Sequence, residues 1–128
     1  MSKSPVTEER LLDGAKGWRE EAEAVIADIS LMVNSITISS ILPCDESGIY
    51  LNVETKENSS FTIEMSTAGF RVCGNQLDLI EENDDQEKIY YETPYALLDS
   101  ISPAYRYELN LIHHLIFVQS LDIVLEQL

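Results

Sequence analysis

His113 and His114, the two histidines of the chain, are the first residues to weigh for metal or proton chemistry. They are adjacent, so on a helix they point about 100° apart and cannot chelate an ion as an i, i+4 pair does. Ordinary side chains at the edge of a helix interface are the expectation. Glu81-Glu82-Asn83-Asp84-Asp85-Gln86-Glu87 gathers carboxylates, yet it lacks the central Gly and alternate ligands of a calcium loop and reads as a solvated loop. Cys44 and Cys73 are too few and too far apart for a metal site and read as structural thiols. Gly69 and Gly74 are turn residues around a strand and match no phosphate-binding fingerprint. Asn58-Ser59-Ser60 fits the glycosylation pattern, but no secretory signal opens the chain. The inventory offers no metal site, no cofactor and no catalytic constellation, and it points to binding.

Charge narrows the partners. The chain has 128 residues, with 23 acidic against 8 basic side chains and a formal net charge of -15. That balance repels phosphate backbones and anionic headgroups, so nucleic acid and membrane surfaces are not expected partners. The apolar run Leu115 to Val118 is far short of a membrane span. The expectation is a cytoplasmic protein, with the nucleus as a second location.

The elements that must position any binding surface read helix, strands, helices: an α+β fold. Residues 1–17 are polar, contain Pro5, Gly14 and Gly17, and are expected to be a flexible leader to one domain over 18–128. From Trp18 to about Ser35, apolar Ala22, Val25, Ile26, Ile29, Met32 and Val33 recur at three and four residues, the spacing of an amphipathic helix. Glu20, Glu21 and Glu23 are expected near its start, where the macrodipole favours negative charge. Ile36 to Leu42 reads as a strand stopped by Pro43. Ile49, Leu51 and Val53, then Phe61, Ile63 and Met65, alternate with polar residues as half-buried strands do. Phe70 to Cys73 continues the pattern, and Leu77 to Ile80 reads as a weaker further strand. The short connections make the sheet of about four strands antiparallel. Thr93-Pro94 and Ser102-Pro103 each place a capping hydroxyl before a proline suited to the first helical position. They predict a short helix over Tyr95, Leu97, Leu98 and Ile101 and a long one to the C-terminus. The long helix is apolar almost all round, which predicts burial on two sides, against the domain core and against a partner.

Specific strings add to this pattern. Glu21-Ala22-Glu23-Ala24-Val25-Ile26-Ala27-Asp28, Tyr50-Leu51-Asn52-Val53-Glu54-Thr55-Lys56-Glu57, Thr67-Ala68-Gly69, and Glu92-Thr93-Pro94-Tyr95-Ala96-Leu97-Leu98-Asp99-Ser100-Ile101-Ser102-Pro103-Ala104-Tyr105-Arg106 together resemble the GSKIP family. Its members are small proteins that bind glycogen synthase kinase 3, and their domain recurs in clustered-mitochondria proteins. The resemblance implies a non-catalytic regulator whose C-terminal helix docks on the kinase and restrains phosphorylation of Wnt-pathway substrates such as β-catenin.

The resemblance also implies contact residues. The family's aromatic and following leucines, spaced four, four and three, are met by Tyr107, Leu111, Leu115 and Val118, on one helical stripe. This register also makes Leu111-Ile112-His113 and Leu115, followed by Val118-Gln119, similar to the kinase-binding helix of axin. Counting from Tyr105-Arg106 without a gap gives instead Leu109, His113, Phe117 and Ser120. Four large anchors supply roughly 6 to 12 kcal/mol against ~4 to 15 kcal/mol for association, so the helix must be prefolded to bind usefully. Some family members also anchor the type II regulatory subunit of cAMP-dependent protein kinase through the first helix. The matching stripe is Ile26, Ser30 and Val33, and the serine at its centre predicts weak or absent anchoring. The competing reading is an assembly module without kinase binding, its C-terminal stripe used for core packing or self-association.

Overall fold

The computed structural model describes residues 14–82 and 87–127, with the side chains of 105–109 outside that description. Residues 1–13 of the leader expected over 1–17, and the Asn83 to Gln86 part of the acidic run, therefore lie outside the described residues, while residues 14–17 of that expected leader are helical.

Helix α1 spans Gly14–Ile29. A 3-10 turn over Ser30–Met32 follows and leads into β1 (Ser35–Ile38), β2 (Gly48–Glu54), β3 (Ser60–Ser66) and β4 (Gly69–Gly74). The strands form one antiparallel meander in the order β1-β2-β3-β4. Helices α2 (Pro94–Ile101) and α3 (Pro103–Glu126) complete the chain. The α+β class and its order of elements are as the sequence predicts.

Alternation decides which face of the sheet is covered. Ile49, Leu51 and Val53 of β2 and Ile63 and Met65 of β3 point to one side, where they form the core with Ala22 and Ile29 of α1, Met32 and Val33, Ile36 of β1, and Leu97 and Leu98 of α2. The pairing registers place Leu51 opposite Ile63 and Val53 opposite Phe61. A one-residue slip would turn this whole set outward, so burial fixes the register.

The opposite face is polar and is crossed by the segment after β4. Asp78, at φ 56°, accepts from Ser39 Oγ at 2.5 Å and Asn52 Nδ2 at 2.7 Å, and its amide donates to Asn52 Oδ1 at 2.8 Å. Thr62 Oγ1 donates to the Gln76 carbonyl and accepts from the Leu79 amide. Leu77 to Ile80 is therefore a strap pinned by side chains, not the additional strand its apolar residues suggest. The left-handed Asp78 conformation ends strand geometry there.

Three further boundaries differ from expectation. Helix α1 is already formed at Gly14, which puts Glu20, Glu21 and Glu23 beyond the first turn and removes the macrodipole argument made for them. It ends at Ile29, short of Ser35. Strand β1 ends at Ile38, not Leu42, because Ser39 Oγ accepts from the Ile41 and Leu42 amides and folds the chain into a turn.

Candidate functional site

The chain turns a corner at Ser102 and projects α3 away from the domain. Thr93 caps α2, its hydroxyl accepting from the Ala96 amide at 3.1 Å, with Pro94 behind it. At α3 the local rule is replaced. Ser102 occupies the N-cap position but its side chain caps no amide of its own helix. Its hydroxyl, fully buried, donates to Glu57 Oε1 at 2.8 Å, and the Ala104 amide donates to Glu57 Oε2 at 2.7 Å. A carboxylate from the β2–β3 hairpin thus caps a helix that begins more than forty residues later. Burial opposes its charge, yet the bonds from Ala104 and Ser102 hold the Glu57 carboxyl below the usual glutamate range.

Glu57 is positioned by its hairpin. Asn58 takes a left-handed φ of 65°, its amide donates to the Thr55 carbonyl, and its side chain accepts from Asn34 Nδ2 at 2.8 Å. Sequence reading missed Glu57, since a cap from a distant hairpin leaves no local spacing signal.

Along α3 the domain supports only the beginning. Ile112 packs half-buried against the core, and every side chain from His113 to Gln127 is exposed. The expectation that one side of this helix lies against the domain core therefore holds no further than Ile112. At about 3.6 residues per turn, between three and four more turns after His113, to Glu126, extend without cover from the domain. Leu111 is 41% exposed, Leu115 56% and Val118 39%, which removes the reading of this stripe as core. The Tyr107 side chain lies outside the described residues. Asp122, four residues beyond Val118, would continue the same stripe and closes it with a charge. In the alternative register His113 and Phe117 are exposed too, and the Ser120 hydroxyl donates to the Ile116 carbonyl.

The second set of predicted contacts does not form one surface. Ile26 is half-buried on α1, Ser30 is exposed in the 3-10 turn, and Val33 is 2% exposed in extended backbone beyond it. The structure thus does not bring Ile26, Ser30 and Val33 onto one helical stripe, and Val33 is a core residue.

Titratable groups elsewhere are engaged with each other. On the polar sheet face Arg71 Nε pairs with Glu64 Oε1 at 3.2 Å, Tyr50 donates to Glu64 Oε2, and Arg71 lies 5.9 Å from the Tyr90 ring centroid. Burial, with the Glu64 charge, pushes the Tyr50 hydroxyl up to about 12. Burial likewise pushes the Cys73 thiol up to about 11. Both stay protonated near neutrality, so neither is poised as a nucleophile or base. Among the described residues no three His, Cys, Asp or Glu side chains come together as metal ligands, and no helix is long and apolar enough to cross a membrane.

Residues 18–115 match the model of the GSKIP domain family. A relative from Mus musculus named "GSK3B-interacting protein" is 44% identical over 91 residues, which is 71% of this chain and 64% of the relative. A Bos taurus protein of the same name is 41% identical over 104 residues, 77% of this chain and 73% of its own length. The "Protein GSKIP homolog" of Drosophila melanogaster is 25% identical over 85 residues, 66% of this chain and 71% of its own. The chain spans about two thirds of the length of these mammalian relatives.

Proposed function

This chain belongs to the GSKIP domain family, and from that premise we propose that it is a non-catalytic regulator that binds glycogen synthase kinase 3 through α3. The observation that carries the reading is the exposure of Leu111, Leu115 and Val118 on one side of a preformed helix that the core does not use. Relatives named for interaction with this kinase support the choice of partner. An apolar stripe laid into a hydrophobic groove is the helix-in-groove mode of recognition. The domain contributes preorganisation: a helix already folded and capped by Glu57 loses less conformational freedom on docking than a free peptide would.

Tyr107, Leu111, Leu115 and Val118 are the contacts of this reading, and occupation of the kinase's groove by them restrains phosphorylation of substrates that need the same groove. Anchoring of the cAMP-dependent kinase regulatory subunit is not part of the proposal, because Ile26, Ser30 and Val33 do not share a stripe. The test is a kinase pulldown by the wild-type chain, Leu111→Asp and Phe117→Asp, with circular dichroism as a folding control. Capture by wild type and Phe117→Asp but not by Leu111→Asp supports both partner and register. Failure of the wild-type chain to capture kinase overturns the proposal, whereas loss in Phe117→Asp alone transfers the contacts to the other register.

A further inference from the structure

The two carboxylate oxygens of Glu57 take different donors, Oε1 the Ser102 hydroxyl at 2.8 Å and Oε2 the Ala104 amide at 2.7 Å. A charge-assisted grip through both oxygens fixes direction as well as distance. The hairpin tip that carries it is itself fixed. Thr55 is fully buried, its amide donates to the Ser59 carbonyl at 2.8 Å, and its hydroxyl accepts from the Ser59 amide at 3.3 Å. Asn34 Nδ2 ties Asn58 to the residue before β1. The carboxylate is therefore held by the domain on both sides of the tip.

We propose that Glu57 is a positioning residue for kinase docking, a role that rests on the kinase reading. Its partners are Ser102 and Ala104, none of the docking anchors, and it acts by aiming the helix that carries Leu111, Leu115 and Val118. Along α3 the next hold is Ile112, half-buried against the core, about 12 Å beyond Ala104. Every side chain from His113 to Gln127 is exposed, so these two holds set the line on which the free part of the helix points. With the first removed, α3 pivots on the second, and a swing of about 20° carries Val118 roughly 3 Å. Contacts with α2 and the 3-10 turn keep the helix attached while it swings.

A kinase that docks the unaimed helix has to freeze this swing, and the lost freedom weakens binding. Lower global stability has no such effect, because a chain that stays almost wholly folded binds with unchanged apparent affinity. Kinase affinity therefore separates a positioning role from a merely structural one.

Calorimetric titration of glycogen synthase kinase 3 with the full chain, together with residual dipolar couplings of the free chain, tests the proposal. Glu57→Ala is expected to bind roughly fivefold to tenfold more weakly than wild type. Glu57→Gln, which keeps one acceptor oxygen, falls between the two. Ile63→Val, in the core, loses comparable stability and binds as wild type does. In the couplings α3 and the sheet share one alignment in the wild type, and the α3 values shrink in Glu57→Ala. Circular dichroism checks that the variants remain folded. If the wild type binds no kinase, the kinase reading falls and this role with it. Wild-type binding equalled by Glu57→Ala overturns the positioning role alone, as does an equal loss in Ile63→Val, or α3 couplings that Glu57→Ala leaves unchanged.

Discussion

Replacing Glu57 with alanine isolates the device that fixes α3. Two bonds disappear, from the Ser102 hydroxyl and from the Ala104 amide. Loss of an N-cap acceptor costs ~0.5 to 2 kcal/mol. Stranding a buried hydroxyl costs ~1 to 3 kcal/mol, and Ser102 is fully buried. Glu57 itself is exposed, so water can enter the space its carboxylate leaves, and the low end of both ranges applies. The expected loss is about 1.5 kcal/mol, read as a lower urea midpoint with an unchanged slope. Glu57→Gln keeps an acceptor but not the charge at the helix N-terminus and should lose about 1 kcal/mol. The pH dependence has a fixed sign. The folded-state pKa is depressed, so the stabilisation is fully present above the unfolded value of about 4.3 and is lost as pH falls through the lower folded value. The gap between wild type and Glu57→Gln must therefore shrink below about pH 4. A Glu57→Ala variant within about 0.5 kcal/mol of wild type, the range of an ordinary surface change, or a gap that widens in acid, would refute the reasoning.

Other expectations follow from single observations. Leu98 is fully buried between α2 and the sheet, so Leu98→Ala should cost ~2 to 5 kcal/mol in denaturant titration. Gly69 sits at φ 124° with the Tyr91 carbonyl where a Cβ would stand, and Gly69→Ala should lower the melting temperature more than Gly17→Ala, where a Cβ meets open space. The Cys73 thiol, buried and raised to about 11, should resist alkylation in the native protein at neutral pH and react on unfolding, as mass spectrometry of trapped peptides would show.

What was legible in the sequence depended on the range of the interaction. Alternation in Ile49, Leu51 and Val53 and in Phe61, Ile63 and Met65 located β2 and β3, because a strand's burial repeats every second residue. Thr93-Pro94 located α2 with its cap, because that bond spans three residues. Ser102-Pro103 located the start of α3 but misassigned its cap, since the acceptor comes from Glu57 across the fold. Leu77 to Ile80 looked like a strand because its apolar content was read without Asp78, whose bonds to Ser39 and Asn52 are long-range. The all-round apolar character of α3 was evident, but its projection from the domain beyond Ile112 was not, because hydrophobicity alone does not say which surface covers a side chain. The docking stripe itself was read from family resemblance, and geometry adds that Leu111, Leu115 and Val118 stand free.

Calorimetric titration of glycogen synthase kinase 3 with the wild-type chain and with Leu115→Asp tests the central claim most directly. Saturable binding by the wild type is predicted, weakened roughly 30-fold or more in Leu115→Asp, the effect of losing a buried anchor worth about 2 kcal/mol, with equal folding stability in the two proteins. No heat of binding from the wild-type chain, or equal affinity of the two, would contradict the account.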